Sequence, residues 1–266
     1  PIIRRLLQRL ETLQRSVQRF GEGDLSVRVS EQGQDEVADL ARQFNAAAAR
    51  IEALVKTHKS LLANASHELR SPLTRIRMGL ELMGGNQPSP AFREEILRNI
   101  AELDQLVDEI LLASRLDARE ADVGTVELVD LIGLAAEECA RVDAELDVTA
   151  VPEGLEVRGV AKLLRRALRN LLENARRYSQ GDITVVLQRH DGQAQLSVLD
   201  RGPGVPPALR ERIFEPFYRL PGASERAGGV GLGLALVRSI AQRHNGSVRC
   251  EDQPDGSGGA CFVLRL

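Results

Sequence analysis

The sequence predicts a multi-domain protein, in which an all-α N-terminal part is followed by an α+β sandwich. Three observations support this fold class. Apolar residues follow heptad spacing over the first 55 residues, two more amphipathic helical patterns lie between 56 and 120, and short β-like runs alternate with helical patterns over 121–266. A chain of 266 residues is long enough for about two domains of typical size.

Composition narrows the class of protein. Charged residues make up 27% and hydrophobic residues 43%, an ordinary soluble balance, while aromatic residues are only 3%, which favours helices packed through aliphatic seams. The net charge of −3 gives no reason to expect a nucleic-acid partner. Cys139, Cys250 and Cys261 lack metal-ligand spacing and are interpreted as reduced thiols in a cytosolic setting.

The N-terminus suggests a fragment of a longer protein. No apolar run approaches the roughly 20 residues that span a bilayer, and the chain begins at Pro1 rather than Met. Arg4 and Arg5 beside an apolar start would suit the cytoplasmic flank of a membrane helix outside this fragment. An ordinary basic helix start explains these residues almost equally well.

Two heptad seams run through residues 1–55. Their members are Ile3, Leu6, Leu10, Leu13, Val17 and Phe20, then Val37, Leu40, Phe44, Ala47, Ile51 and Leu54. The connector, in which Leu25, Val27 and Val29 alternate, can reach about 45 Å when extended. Because that length exceeds a helix of about 30 Å, two parallel helices are feasible, whereas a simple antiparallel hairpin would need only a short loop. Narrow seams cannot form a core alone, so we expect a dimeric four-helix bundle.

The second helix is expected to continue into a helical hairpin. No Pro or Gly lies between Asp35 and Ser71. A turn is predicted at Gly84–Pro90, followed by a return helix that is again amphipathic enough to need a partner copy. His67 lies two residues before Leu69 of the apolar stripe, about 200° around the helix, so it points away from the seam.

The last part of the chain mixes strands and helices, which predicts helices on one face of a sheet. The β-like runs are Thr125–Val129, Leu146–Ala150, Ile183–Gln188, Gln195–Leu199, Ser247–Cys250 and Cys261–Leu266. The helical patterns are Leu131–Val142, Val160–Tyr178 and Leu232–His244.

His67 and two Asn residues carry the first chemical signals. A solvent-facing neutral imidazole is a nucleophile, Glu68 can serve as its hydrogen-bond partner or general base, and Pro72 would kink the helix one turn later. Asn170 and Asn174 share a helix face, and amide oxygens suit Mg²⁺ that also binds phosphate. Each feature alone is usually an ordinary surface pair or helix end.

Two glycine clusters complete the pattern. Asp200–Gly204 follows a strand, and the Asp200 carboxylate can accept a hydrogen bond from an exocyclic amine. Gly228–Gly233 leads into a helix whose N-terminus favours phosphate. The stretch between them has little regular pattern through 214–219 and is long enough to form a mobile lid.

In this order, the motifs closely resemble those of sensor histidine kinases of two-component systems, over nearly the whole chain. His67–Thr74 resembles the H box, Asn170–Tyr178 the N box, Asp200–Gly204 and Gly229–Gly233 the two glycine boxes, and Phe214–Tyr218 the F box. Residues 1–55 resemble a HAMP signal relay more loosely, because HAMP units are defined mainly by heptads.

The resemblance implies an organisation. Residues 1–55 would be the HAMP domain, 56–120 the dimerisation and histidine phosphotransfer hairpin, and 121–266 a catalytic ATP-binding domain of the GHKL ATPase/kinase type. The implied protein is a homodimer, and this fragment would be the cytoplasmic portion of an inner-membrane protein.

The resemblance also implies a site and a reaction. The implied nucleotide-site residues are Asn170, Asn174, Arg177, Tyr178, Asp200, Gly202, Gly204, Phe214, Arg219, Gly229, Gly231, Leu232 and Gly233. Mg²⁺ would bind Asn174 and Asn170, and the Asp200 carboxylate would accept a hydrogen bond from the adenine amine of ATP. The γ-phosphoryl group would pass to His67 with help from Glu68, and then to an Asp in the receiver domain of a cognate response regulator.

Ser71 departs from the family pattern, which usually has Thr or Asn there to place a water that dephosphorylates the regulator. Ser keeps the hydroxyl but lacks the β-methyl group that restricts the rotamer, so phosphatase activity stays open. Two alternatives remain: an ATP hydrolase of the same superfamily, and a non-catalytic dimeric relay. Against hydrolysis, Asn170 stands where those ATPases carry a general-base Glu, and Glu173 is expected to point about 100° away from Asn174.

Overall fold

The computed structural model describes residues 2–82, 89–117, 124–151, 153–221, 230–256 and 258–266. The chain separates into two compact units, Pro1–Ala63 and Asn64–Leu266. Within the described ranges, no helix combines the length and apolar character needed to cross a membrane. Residues 83–88, which contain most of the predicted turn, and Gly229 of the second glycine cluster lie outside the described residues.

The first unit pairs two helices in parallel, the arrangement that the length of the connector allows. Helix α1 spans Ile2–Gly21 and helix α2 begins at Glu36. Arg9 of α1 pairs with Asp35 just before α2, and the Phe20 ring packs edge-on against Phe44 at 5.7 Å between ring centroids. Contacts therefore advance along both helices in the same direction, which requires the connector to run back along the pair.

The backbone of the connector is hydrogen-bonded to a side chain of α2. The Asn45 side chain accepts a hydrogen bond from Val29 N at 2.9 Å and donates one to Val29 O at 2.8 Å. Val27 is buried, whereas a turn at Leu25–Ser26 interrupts the predicted alternation at its start. One amide side chain thus satisfies both backbone groups of an extended residue that has no strand partner.

Helices α2 and α3 form the predicted hairpin. Helix α2 spans Glu36–Leu82 without a break at Pro72, and α3 spans Pro90–Asp117. Near the turn, a Cβ on Gly79 would lie 2.5 Å from the Phe92 ring, so the glycine makes room for that aromatic side chain. Further from the turn, Arg75 pairs with Glu102 at 2.6 Å, which gives the antiparallel order of contacts.

The rest of the second unit is an α+β sandwich, which confirms the predicted fold class. Its elements are β1 Glu127–Asp130, α4 Leu131–Val142, β2 Glu145–Asp147, β3 Glu156–Gly159, α5 Ala161–Tyr178, β4 Thr184–His190, β5 Gln193–Leu199, α6 Gly233–Arg243, β6 Ser247–Asp252 and β7 Ala260–Arg265. The main sheet has the order β2-β4-β5-β7-β6, in which only β2 and β4 run parallel. Strand β3, which the sequence patterns missed, pairs with β1 in a separate antiparallel ribbon.

Helices α4, α5 and α6 pack against strands β4, β5 and β6, respectively, and enclose an aliphatic core. Within it, Leu168 and Leu171 of α5 and Val185 and Val198 of the sheet have no exposed surface. Because α5 contributes its apolar face to this core, its opposite face is free to carry polar side chains. Asn170, which is buried, and Asn174, which is half-buried, lie at the edge of the apolar face, where both line a cavity.

A buried carboxylate fixes α4 against α5. Glu138 is 2% exposed, and it accepts hydrogen bonds from Nε and Nη2 of Arg169, both at 2.9 Å, and from Nη1 of Arg165 at 3.2 Å. The hydrogen bonds from Arg169 outweigh burial and hold the pKa of Glu138 below its ordinary value. This bidentate geometry sets the rotation of α5 about its axis.

His244 joins the end of α6 to the start of α5. Its Nε2 accepts a hydrogen bond from Val160 N at 3.0 Å, and its Nδ1 lies 2.7 Å from Ile240 O. These partners assign the neutral tautomer with the proton on Nδ1. A Cβ on Gly159 would lie 2.7 Å from Cδ2 of His244, so this junction requires the glycine.

Candidate functional site

One cavity of about 670 Å³ in the second unit gathers most of the predicted site residues. Helices α2 and α3 form one wall, and α5, the two glycine clusters and the sheet form the others. The predicted residues that line it are His67, Glu68, Ser71, Asn170, Asn174, Arg177, Tyr178, Asp200, Gly204, Arg219, Gly231 and Gly233. Residues from distant parts of the sequence therefore face a single volume.

The hairpin wall follows one stripe of α2. His67, Ser71 and Arg75 are spaced four residues apart, which places them on the same helix face, and all three line the cavity. Pro72 is buried and also borders the cavity. His67 is exposed, whereas Glu68 beside it is half-buried. The imidazole therefore has access to a molecule in the cavity.

Helix α5 presents its two Asn side chains to the same volume. Asn170 is 4% exposed, and its Nδ2 donates to the carbonyl of Gly233 at 3.0 Å. Asn174 is half-buried one turn further along. Since the amide nitrogen of Asn170 is held by the first residue of α6, its orientation is tied to the second glycine cluster.

Asp200 is held in the cavity by backbone groups. It is 3% exposed, and its Oδ1 accepts hydrogen bonds from Gly202 N at 2.8 Å and Ala260 N at 3.3 Å. Burial raises the pKa of Asp200, and these two hydrogen bonds partly offset the rise. A Cβ on Gly202 would lie 2.7 Å from the carbonyl oxygen of Tyr178, so the glycine permits this close approach.

The F-box segment touches the second glycine cluster. Phe217 N donates to Gly231 O at 2.9 Å, and Phe217 has a φ of 63°. Gly231 also has a positive φ, and a Cβ there would lie 2.9 Å from the carbonyl carbon of Phe217. A bulky residue in the left-handed region is rare and carries strain. This contact holds the two segments together at the cavity edge, and 222–229 lie outside the described residues.

Three predicted residues do not reach the cavity wall. Phe214 is buried and packs edge-on against Phe262, with ring centroids 6.4 Å apart. Leu232 is fully buried immediately before α6, and Gly202 lies behind the Asp200 carboxylate, to which its N–H donates. These residues support the wall from behind, and Phe262 lines the cavity instead.

Three family models match successive parts of the chain. A model of the HAMP domain matches residues 2–53, one of the His Kinase A (phospho-acceptor) domain matches 57–119, and one of the histidine kinase-, DNA gyrase B- and HSP90-like ATPases matches 159–266. The chain belongs to the sensor histidine kinases of two-component systems. The last match implies that the C-terminal domain of this kinase binds ATP.

Named relatives agree with this family. The kinase is 36% identical over 256 residues to Sensor protein RstB of Escherichia coli (strain K12), covering 94% of this chain and 58% of RstB. It is 35% identical over 251 residues to Signal transduction histidine-protein kinase/phosphatase MprB of Mycobacterium sp. (strain KMS), covering 88% of this chain and 48% of MprB. The chain therefore spans about half the length of the curated relatives it matches.

A solved structure shares the fold. Histidine kinase ThkA in complex with response regulator protein TrrA matches with a TM-score of 0.63 at 24% identity, over 87% of this chain and 67% of that chain. At that identity the likeness concerns the fold of the kinase alone.

Sequence patterns missed an acidic part of the kinase cavity. Glu173, which is expected to point about 100° away from Asn174, also lies in the cavity wall, near Glu109 of α3. Glu109 is buried and accepts hydrogen bonds from Arg166 Nη2 at 2.9 Å and Gln105 Nε2 at 3.1 Å. The pair with Arg166 joins the hairpin to α5. The sequence signal that could have revealed Glu109 is its place between Val107 and Ile110, two apolar residues of the return helix.

Glu109 is expected to make this contact pH-dependent. Burial raises its pKa, more than the Arg166 charge lowers it. The folded kinase therefore binds the proton more tightly than the unfolded chain, and stability falls as pH rises from the ordinary carboxyl pKa to the raised one. Glu109→Gln removes that loss. The melting temperature of this variant should rise relative to the wild type above about pH 4.5, the two values converging at lower pH.

Glu102→Gln is the matched control for this comparison. Glu102 lies on the same helix and also lines the cavity, but its side chain is exposed and pairs with Arg75. Because the Glu102 side chain is exposed, Glu102→Gln should change the stability of the kinase by less than about 1 kcal/mol. A constant offset between Glu109→Gln and the wild type at every pH would contradict the assignment.

Proposed function

We propose that this kinase phosphorylates its own His67 from Mg²⁺-bound ATP and then transfers the phosphoryl group to an Asp in the receiver domain of a response regulator. The observation that carries the proposal is the shared cavity, which is lined by His67 on one side and by Asn174 and Asp200 on the other. Membership of the family supports both steps. The roles of individual residues given below are part of the proposal.

The described residues fit a nucleotide. The Asp200 carboxylate uses Oδ1 for backbone donors, which leaves Oδ2 to accept from the exocyclic amine of adenine. Because Asn170 donates through Nδ2, its Oδ1 is the atom that remains for Mg²⁺, together with the amide oxygen of Asn174. The start of α6 at Gly233 offers backbone N–H groups to the phosphates. Arg177 and Tyr178 supply a phosphate contact and a stacking face.

Phosphoryl transfer needs mainly positioning and charge neutralisation. A ring nitrogen of His67 attacks the γ-phosphorus, the bond to the β–γ bridging oxygen breaks, and ADP leaves. Glu68, adjacent on α2, takes the proton that the imidazole loses. The phosphohistidine then gives its phosphoryl group to the regulator carboxylate, and the leaving imidazole regains the proton from Glu68, which restores neutral His67.

Exposed apolar residues on the helices support a homodimer. They are Leu6, Leu7, Leu10, Val17, Leu40, Ile51, Leu54, Leu62, Leu73, Met78, Leu80, Leu97, Ile100, Val107 and Leu111. A second copy of the chain would cover them in four-helix arrangements. The proposed domains are HAMP at 1–55, the phosphotransfer hairpin at 56–120 and the catalytic domain at 121–266. Relatives named as sensor proteins support a cytoplasmic role for this portion of an inner-membrane protein.

Incubation with γ-labelled ATP tests the proposal. A histidine kinase retains label on the protein as a phosphoramidate, which acid removes and alkali does not. The second candidate is an ATP hydrolase, which the presence of Glu173 in the cavity favours because a carboxylate can activate water. A hydrolase would release labelled phosphate and leave the protein unlabelled, so the two outcomes separate.

Ser71 is expected to limit phosphatase activity. It lines the cavity one turn after His67, but its hydroxyl can adopt three staggered rotamers. Ser71→Thr adds the β-methyl group that restricts the hydroxyl, so dephosphorylation of a regulator should become about two- to threefold faster. Ser71→Ala removes the hydroxyl and should abolish that activity. The measurement is loss of label from a regulator that the kinase has phosphorylated; an unchanged rate in Ser71→Ala would contradict the role.

A further inference from the structure

A buried amide outside the cavity donates a hydrogen bond to the backbone of Asp200, the residue whose carboxylate is proposed to accept from the adenine amine. Strand β6 ends at Asp252, and Gln253 follows it. Gln253 is 7% exposed, and its Nε2 donates a hydrogen bond to the backbone carbonyl of Asp200. Gln253 does not line the cavity. Its contact with the site therefore runs through Asp200.

Gly259 makes this contact possible. A Cβ at Gly259 would lie 1.9 Å from Asp200 O and 3.1 Å from Gln253 Nε2, so any side chain there would displace one of them. The next residue, Ala260, accepts from Asp200 N at 3.0 Å and donates to its Oδ1 at 3.3 Å. The N–H, the carbonyl and one carboxylate oxygen of Asp200 are thus all bonded, which leaves the direction of the other oxygen little freedom.

Asp252, the neighbour of Gln253, contacts the other end of the loop at 200–205 through Arg210. Arg210 Nε donates to Val205 O at 3.0 Å, and its Nη2 pairs with Asp252 Oδ1 at 2.5 Å. Gln253 therefore binds the first residue of the loop at 200–205, and Asp252 reaches its last residue through Arg210. Because Val205 also lines the cavity, residues 252–253 contact both ends of a loop in the cavity wall, Gln253 directly and Asp252 through Arg210.

We propose that Gln253 is a positioning residue for recognition of the adenine amine and acts through Asp200. The inference rests on the proposed role of Asp200. If the Nε2 donor is removed, a buried carbonyl loses its partner and the loop shifts until water or another donor reaches it. The Asp200 carboxylate is then no longer oriented toward the exocyclic amine, whereas the contacts to the phosphates are kept.

The test compares two nucleotides that differ only in that amine. Affinities of the full 266-residue chain for ATP and for purine riboside 5′-triphosphate, which lacks the amine, are measured with Mg²⁺. Gln253→Met keeps the side-chain volume and removes the donor. The dissociation constant for ATP should rise about tenfold, the scale of one lost hydrogen bond, and that for the purine analogue should change less than about twofold.

Control variants separate the possible outcomes. Glu251→Gln, two residues earlier on β6 and paired with Arg249, should leave both affinities unchanged. Asp200→Asn should abolish the preference for ATP; if it does not, the proposed role of Asp200 is wrong. If Asp200→Asn abolishes the preference and Gln253→Met does not, only the positioning role is overturned.

A purely structural role for Gln253 gives a different result. Loss of affinity for both nucleotides by the same factor would overturn the proposal, because the effect would not depend on the amine. Folding is checked by circular dichroism, and Gln253→Glu, which keeps the shape and lacks the donor when ionised, serves as the second variant. Should both variants fail to fold, Gln253 is a folding residue and the positioning role is rejected.

Discussion

Replacement of His67 by Gln will abolish labelling of the protein by γ-labelled ATP, while nucleotide affinity stays within about twofold of the wild type. Gln keeps a polar side chain of similar length on an exposed helix position, so α2 is preserved. A neutral amide is not a nucleophile toward phosphorus, so no phosphoramidate forms. The expected decrease in labelling is at least about a thousandfold, since no other group replaces the nucleophile.

His190→Gln is the matched control for residue type. His190 is also exposed, but it ends β4 beside Asp191 and does not line the cavity. That variant should label like the wild type. Loss of ATP binding in His67→Gln would contradict a division of the site into a nucleophile on the hairpin and a nucleotide pocket on the sandwich domain.

The same variant separates the kinase from a non-catalytic relay. A relay that binds nucleotide only for structural reasons would signal equally well without the imidazole. A kinase would lose phosphoryl transfer to its regulator together with its own label. Equal regulator phosphorylation by the wild type and His67→Gln would therefore reject the proposed function, whatever the binding data show.

The periodicity of apolar residues predicted the bounds of an element well where that element has one dominant packing face. Helix α4 was predicted with its observed bounds, and α5 differs by one residue at its start, because both place apolar residues against one sheet. Strand β3 was missed since Glu156–Gly159 pairs only with β1 and shows no run of apolar residues. Its strand conformation depends on a partner nearly thirty residues earlier, which local pattern does not report.

Site residues were predictable where a motif names them, and less so where tertiary contacts do. Residues such as Asn170 and Asp200 were found because amides and carboxylates at motif positions suggest nucleotide chemistry. Phe214 was assigned to the site, but an apolar ring can equally fill the core, and it packs on Phe262. Glu109 and Gln253 were missed because their roles depend on Arg166 and on the Asp200 carbonyl, which lie more than fifty residues away in sequence.

Removal of the Glu138 carboxylate is expected to destabilise the sandwich domain strongly. Glu138→Ala leaves Arg169 and Arg165 without their shared acceptor and opens a gap between α4 and α5. Breaking a fully buried ion pair costs about 3–5 kcal/mol. The two Arg side chains are 30% and 37% exposed and can hydrate in part, so a loss of about 3 kcal/mol is expected. The melting temperature should fall by about 6–12 °C.

Glu137→Ala provides the control on the adjacent residue. Its carboxylate also pairs with Arg165, but it is 64% exposed, so its removal should cost less than about 1 kcal/mol. Urea unfolding of both variants gives the comparison. Similar losses would show that the Arg contacts, rather than burial of the carboxylate, determine the effect.

The pH dependence of Glu138 runs opposite to that of Glu109. The hydrogen bonds from Arg169 lower the pKa of Glu138, so its contribution to stability is complete above the ordinary carboxyl pKa and is lost as pH falls through the lowered value. The difference between the wild type and Glu138→Ala should therefore shrink in acid.

Loss of Glu138 should also weaken nucleotide binding, although Glu138 does not line the cavity. Arg169, which binds Glu138, directly precedes Asn170, whose amide is tied to Gly233. A rotation of α5 that follows loss of the Glu138 contact must move Asn170 and Asn174 together, because both are fixed to the same helix face. A several-fold weaker affinity for Mg²⁺-bound ATP in folded Glu138→Ala, with Glu137→Ala unchanged, would show that the buried carboxylate positions the N-box helix as well as stabilising it.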